Sequence, residues 1–202
     1  MYRLFLAGGI ASGKSTVAQL LAAHGALRID LDQLSRAGLA PGEPCVAEVA
    51  KAFGEDLVDP ATGALRRGLL AERAFQSKEA TRQLETIELP AILASLKAIL
   101  DEGCADVCVV EIPLLDRAEY MLSEADEVAC VVAPLALRRE RAIGRGMAGE
   151  DFDRRVAQQP SDAYLESKSD TVFRNTGSYD DLMRAVDTWW QSREAAGWKG
   201  RH

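Results

Sequence analysis

The chain has 202 residues, 48% of them apolar and 27% charged, with a formal net charge of −7. That length suits one domain with a small inserted subdomain, and the composition is that of an ordinary soluble globular protein. The acidic balance argues against nucleic acid as a partner, no leader-like opening is visible and no run approaches the ~20 apolar residues that span a bilayer, so a cytoplasmic protein without membrane attachment is expected.

The first apolar run, "LFLA" (Leu4 to Ala7), reads as a buried strand and leads directly into "GGIASGKST". Strand, glycine-rich turn and helix N-terminus come in the order that a phosphate-binding loop needs. Gly8, Gly13, Lys14 and Ser15 match its pattern of two glycines, a lysine and a hydroxyl. Backbone N–H groups of such a loop form an anion nest, and the helix behind it adds its positive dipole end. Gly9, Ala11, Ser12, Gly13, Lys14, Ser15 and Thr16 are therefore the candidate nucleotide contacts. Lys14 is placed to reach the β and γ phosphates, and the Ser15 hydroxyl to take one position on Mg²⁺.

A helix is expected from Lys14 to His24, with Val17, Leu20 and Leu21 on its apolar face, and a second strand over "ALRID" (Ala26 to Asp30). The carboxyl edge of a doubly wound sheet faces the ligand crevice. Asp30 and Asp32 stand there, two residues apart, and point the same way if the chain stays extended. One of them is a candidate proton acceptor; capping of the next helix by Asp32 is the structural alternative. Arg36 comes one helical turn after Asp32 and is a candidate grip for a phosphate or carboxylate of an acceptor.

From about residue 33 to 104 the sequence holds no convincing strand. "APGEPC" breaks regular structure at Pro41 and Pro44. A helical pattern then runs through Leu84, Ile87, Ile92, Leu93, Leu96 and Ile99, and Pro90 inside it predicts two helices or one kinked helix.

Strands resume at "DVCVVEIP" (Asp106 to Pro113) and "EVACVVAP" (Glu127 to Pro134). Glu111, at the end of the first of these, resembles an acid standing behind a magnesium ion, with a purely structural carboxylate as the alternative. Next, Arg138, Arg141 and Arg145 share one helix face by their spacing of three and four, and Gly144, Gly146 and Gly149 loosen the chain at the end of that helix. A basic helix leading into a flexible turn predicts a phosphate-covering lid over about residues 138–160, with Arg145 its foremost residue. "DTVF" (Asp170 to Phe173) reads as the last strand. Tyr179 to Trp190 reads as a helix packing Trp189 and Trp190 on the sheet, and "GWKGRH" as a frayed tail. Cys45, Cys104, Cys108 and Cys130 lack paired spacing and read as buried thiols of a reducing compartment. His24 and His202 are the only histidines, which argues against a histidine metal site or a Ser-His-Asp triad.

In "GGIASGKST", "IDLDQLSR", "PGEPCVAEVAKAFGEDLVDPATGALRR", "IPLLD", "RERAIGR" and "SDTVFRNTG" the chain resembles the dephospho-coenzyme A kinases over nearly its whole length. The resemblance implies an α/β P-loop kinase: a five-stranded parallel sheet flanked by helices, a helical substrate-binding insert and a lid. The core would span about residues 1–32 and 105–202 and the acceptor-binding insert about 33–104. It implies transfer of the ATP γ-phosphate to the ribose 3′-hydroxyl of dephospho-coenzyme A. By motif, Asp32 would be the base, Lys14 the phosphate clamp, and Arg141 and Arg145 lid residues. Arg67 would match the arginine after the "TG" turn, and Asn175 and Gly177 the loop near the adenine. Two departures bear on the acceptor: Leu89-Pro90 stands where relatives commonly have His-Pro, and Arg117 stands where they often have an acid.

Two other readings share the same loop. A nucleoside or nucleotide kinase would differ in its acceptor. A non-catalytic nucleotide-dependent switch would call for a guanine-reading "NKxD" signal, and "FRNTG" is the nearest asparagine loop, without the lysine and aspartate.

Overall fold

Five short strands carry the apolar runs: β1 (Tyr2–Gly8), β2 (Leu27–Asp30), β3 (Val107–Glu111), β4 (Glu127–Val132) and β5 (Thr171–Arg174). They belong to a computed structural model that describes residues 1–103 and 105–199. Cys104, His202 and the end of the "GWKGRH" tail, each given an expectation above, lie outside the described residues. All neighbouring strands pair in parallel, in the order β2-β3-β1-β4-β5. Every residue of β3 and β4 is buried. Strands covered on both faces have no polar side to alternate with, so they read as unbroken apolar runs.

Between and after the strands run α1 (Lys14–Ala23), α2 (Leu31–Gly38), α3 (Pro44–Phe53), α4 (Arg67–Ala74), α5 (Lys78–Glu102), α6 (Leu135–Gly144), α7 (Gly149–Val156), α8 (Asp162–Ser167) and α9 (Tyr179–Ala195). The chain forms two compact units, one made of Met1–Asp30 with the chain from Gly103 onward, the other of Leu31–Glu102.

In the sheet unit, Leu4 and Leu6 of β1, Val109 of β3 and Val131 of β4 meet Val17 and Leu21 of α1 and Leu182, Val186, Trp189 and Trp190 of α9. The two tryptophans are thus core, as their helical spacing indicates. A capping box of Ser178 and Asp181 starts α9 by satisfying amides that the first turn leaves without acceptors. The tail departs from the frayed expectation as far as Trp198. Its ring sits 4.7 Å from that of Trp190 and 5.5 Å from that of Tyr2, because an indole gains more from burial than a short tail loses in freedom. Beneath this cluster, at the entrance to β4, the buried carboxylate of Glu127 accepts hydrogen bonds from Tyr2, Thr171, Trp189 and Arg193.

In the helical unit, Val46 and Val49 of α3 pack with Leu57, with Leu70 and Ala74 of α4, and with Leu84 of α5. The pattern around Pro90 resolves as one helix of 25 residues. Pro90 is exposed, and Leu84 and Leu96 are buried on either side of it. Packing at both flanks carries the helix past the missing amide donor.

Among the described residues no helix is long and apolar enough to cross a membrane. Cys45, Cys108 and Cys130 are buried free thiols, and burial pushes the Cys108 thiol up to about 11.

Candidate active site

The loop after β1 leads the chain to one side of the sheet, and the connection after β4 leads it to the other. The carboxyl end of β1 therefore lies at a topological switch point, where such sheets bind ligands. Within the loop, the Ser12 amide donates to the Gly9 carbonyl at 3.1 Å and closes a turn. Ala11 and Gly13 have φ of 56° and 104°. For alanine this left-handed geometry costs roughly 1–2 kcal/mol; Gly13 adopts it without penalty and caps α1. The glycines answer a second demand, close approach from outside. A Cβ at Gly9 would collide with the Arg138 guanidinium, and one at Gly13 with the Asn175 amide.

Behind the loop, Lys14 and Ser15 open α1 and turn toward the end of β3. Lys14 Nζ donates to the Ile112 carbonyl at 3.1 Å, and Ser15 Oγ donates to Glu111 Oε2 at 3.2 Å. Glu111 is buried, and its other oxygen accepts from Arg28 Nε at 2.6 Å. Strand register pairs Asp30 with Glu111 and Glu111 with Leu6, so the ends of β2, β3 and β1 lie alongside one another. Thr16 comes next in the first turn of α1. The arrangement presents an ammonium group, a hydroxyl and a helix N-terminus around one loop, which is the chemistry of a polyphosphate site.

Arg138 and Arg141 of α6 and Arg145 at its end do three different things. Arg138, expected on one helix face with Arg141 and Arg145, is only 5% exposed. Its Nε donates to the Ile10 carbonyl at 2.8 Å, and its guanidinium pairs with Asp162 at 3.1 Å. A helix face shared by spacing is not a face turned to solvent, and the loop backbone offers this arginine an acceptor. Arg141 donates to Asn175 Oδ1 at 3.1 Å, and Asn175 Nδ2 donates to the Ser12 carbonyl at 2.8 Å. Arg145 is exposed at the C-terminal cap of α6. Gly177 is exposed just ahead of the α9 cap, and a Cβ there would strike Asp181.

The helical unit holds the remaining candidates. The extended geometry that would align Asp30 with Asp32 stops at Asp30, because α2 begins at Leu31. Asp32 is consequently not the cap either; it stands exposed in the first turn, where a carboxylate is favoured by the helix dipole. Arg36 lies one turn further along α2. Arg67, the first residue of α4, donates to the Arg36 carbonyl at 3.3 Å, which brings those two candidates together. Beside them, Ser35 Oγ donates to Glu88 Oε2 of α5 at 3.2 Å. Burial raises the Glu88 carboxyl above its ordinary range and Glu85 adds to the shift, against the opposing effects of Ser35 and Arg67.

Sequence reasoning missed Arg28 as the partner of Glu111. It also missed Gln159, whose Oε1 accepts the Ile10 amide at 2.7 Å. No local pattern announces that contact, since it joins a loop backbone to a side chain 149 positions away.

Known proteins resemble this chain in sequence and fold. The family model described as dephospho-CoA kinase matches residues 2–181. A relative from Corynebacterium diphtheriae, named dephospho-CoA kinase, is 40% identical over 190 residues, covering 92% of this chain and 94% of its own. A crystal structure of a Thermus thermophilus protein superposes with a TM-score of 0.81 at 30% identity, over 95% of this chain and 97% of that one. The structure of a dephospho-CoA kinase from Campylobacter jejuni gives 0.63 at 26% identity, over 94% and 96% of the two chains.

Proposed function

Because the chain belongs to the dephospho-CoA kinase family, we propose that it transfers the γ-phosphate of ATP to the ribose 3′-hydroxyl of dephospho-coenzyme A in the cytoplasm. The products are coenzyme A and ADP, and the reaction is the last step of coenzyme A synthesis. The observation that carries this reading is the loop itself: Lys14 and Ser15 are held by Ile112 and Glu111 at the end of β3, in a chain that matches one kinase family almost throughout.

In this reading the sheet unit binds the donor. Gly9, Ala11, Ser12, Gly13, Lys14, Ser15 and Thr16 surround the polyphosphate, and Asn175 and Gly177 lie toward the adenine. Lys14 neutralises phosphate charge, and Arg141 and Arg145 cover the transferring group from the lid, residues 138–160. The helical unit, within residues 33–104, takes the acceptor through Arg36 and Arg67, with Asp32 just ahead of it in α2. The new bond joins the 3′-oxygen to the γ-phosphorus, the bond to the β-bridging oxygen breaks, and ADP leaves with its electron pair. Asp32 accepts the hydroxyl proton. Most of the acceleration comes from positioning and charge stabilisation, as the loose transition state of phosphoryl transfer requires.

Mg²⁺ fits the oxygen donors present. The Ser15 hydroxyl would ligate it and the Glu111 carboxylate would stand behind, and among the described residues no cluster of three acids, histidines or cysteines would hold a cation by itself. That pattern suits an ion carried mainly by phosphate oxygens and water. When bound, it supplies charge neutralisation across the β and γ phosphates.

A panel of acceptors tests the proposal, with ADP release measured for each. Turnover with dephospho-coenzyme A alone supports it; turnover with nucleoside monophosphates and none with dephospho-coenzyme A contradicts it.

A further inference from the structure

Both backbone polar groups of one loop residue, Ile10, are taken by side chains that bracket a single segment. The Ile10 carbonyl accepts from Arg138 Nε at 2.8 Å, and the Ile10 amide donates to Gln159 Oε1 at 2.7 Å. Arg138 lies in α6 and Gln159 just beyond α7, so the two feet of the segment containing the α6–α7 turn stand on the same residue. Arg138 is itself fixed from the far side by Asp162, at the start of α8.

We propose that Arg138 and Gln159 are positioning residues that hold the phosphate loop in its nucleotide-binding shape through Ile10, tying ATP affinity to the base of the α6–α7 segment. The inference rests on the reading of the loop as an ATP site. The next residue gives the clamp its purpose. Ala11 is held at φ 56°, a left-handed conformation that L side chains rarely adopt. Such a geometry persists only where its surroundings impose it. Ile10 is fixed on one side of Ala11 by the clamp, and the Ser12 carbonyl is fixed on the other by Asn175. Arg138 also fills the space over Gly9 that a side chain would occupy. The loop is therefore restrained by α6, by the end of α7 and by the residue after β5, while its inner face remains for phosphate. Releasing Ile10 lets the loop relax, and nucleotide binding must then restore the restrained shape.

The experiment measures affinity for a non-hydrolysable ATP analogue with Mg²⁺ by calorimetry, in the full-length wild type, Gln159→Met, Arg138→Lys and the double variant. Melting temperature without nucleotide and KM for each substrate are recorded alongside. Gln159→Met keeps length and removes the acceptor. It should weaken analogue binding roughly three- to tenfold, the effect of one hydrogen bond, raise KM for ATP by a similar factor, and leave KM for dephospho-coenzyme A unchanged. Arg138→Lys keeps the charge opposite Asp162 and should behave alike. The double variant should lose less than the product of the two single factors, because both act on one residue. A Gln159→Met affinity within twofold of wild type overturns the proposal, as does a lower melting temperature with unchanged affinity. If Arg138→Lys does not fold, Gln159→Met decides alone. A wild type that binds the analogue but leaves dephospho-coenzyme A unphosphorylated defeats the proposed reaction and leaves the clamp to be judged by affinity. A wild type that binds no analogue overturns both.

Discussion

Ser15 donates its hydroxyl hydrogen to Glu111 across 3.2 Å, joining the start of α1 to the last residue of β3. Arg28 holds the opposite carboxylate oxygen at 2.6 Å, so the acid is fixed from both sides. Glu111→Gln keeps the shape but removes the charge that pairs with Arg28 and supports the Ser15 hydroxyl, the ligand proposed for Mg²⁺. We expect kcat to fall roughly 10- to 100-fold, the usual effect of losing an outer-shell partner of a metal ligand, and the Mg²⁺ requirement to rise. Initial rates across a Mg²⁺ titration measure both; an unchanged titration curve would return Glu111 to a structural role.

Asp32 stands exposed in the first turn of α2, with no fold-stabilising burial to lose on substitution. Asp32→Asn should therefore fold and bind ATP as the wild type does. Its kcat should drop by about 10²–10⁴, the contribution of a general base. Nucleotide calorimetry with steady-state rates separates the two effects, and undiminished turnover would remove Asp32 from the base role.

The contrast between these two acids shows what the sequence carries. Loop residues Gly8 to Ser15 are contiguous, so the strand, the glycine-rich turn and the helix N-terminus behind it were legible at once. The runs of β3 and β4 were legible because both faces are buried. Asp32 was left between an extended chain and a helix cap because nothing local marks the helix start at Leu31. Pro90 suggested a break that packing at Leu84 and Leu96 overrides. Arg138 shows the limit most clearly. Its spacing with Arg141 was right, but only the folded chain brings the Ile10 carbonyl within reach of it. Contacts between distant backbone and side chains leave no periodicity to read.

Glu127 makes stability depend on acid pH. Burial alone would raise its carboxyl, but hydrogen bonds from Arg193, Thr171, Tyr2 and Trp189 outweigh burial and hold it below its ordinary value. A depressed folded-state value contributes stability above the unfolded value, roughly 4.3, and loses it as pH falls through the folded one. Glu127→Gln should cost about 2–4 kcal/mol at neutral pH by leaving Arg193 without its charge partner. It should also flatten the acid limb of the stability profile. Urea unfolding at neutral pH and across the acid limb, monitored by tryptophan fluorescence, checks both.

Glu88 has the opposite sign. Burial raises its carboxyl, so the folded state binds the proton more tightly, and stability declines as pH rises from the ordinary carboxylate value through the raised one. Glu88→Gln removes the half-buried charge while keeping an oxygen to accept from Ser35. At neutral pH the melting temperature should rise by roughly 2 °C, and the gain should vanish below the ordinary carboxylate value. A variant that melts lower at neutral pH would contradict this.

The most direct test of the reaction is the mass and phosphorylation site of the product formed from dephospho-coenzyme A, ATP and Mg²⁺. The account predicts one added phosphate, carried on the ribose 3′-oxygen, with one ADP released for each. Dephospho-coenzyme A recovered unchanged, while the same preparation phosphorylates a nucleoside monophosphate, would contradict it.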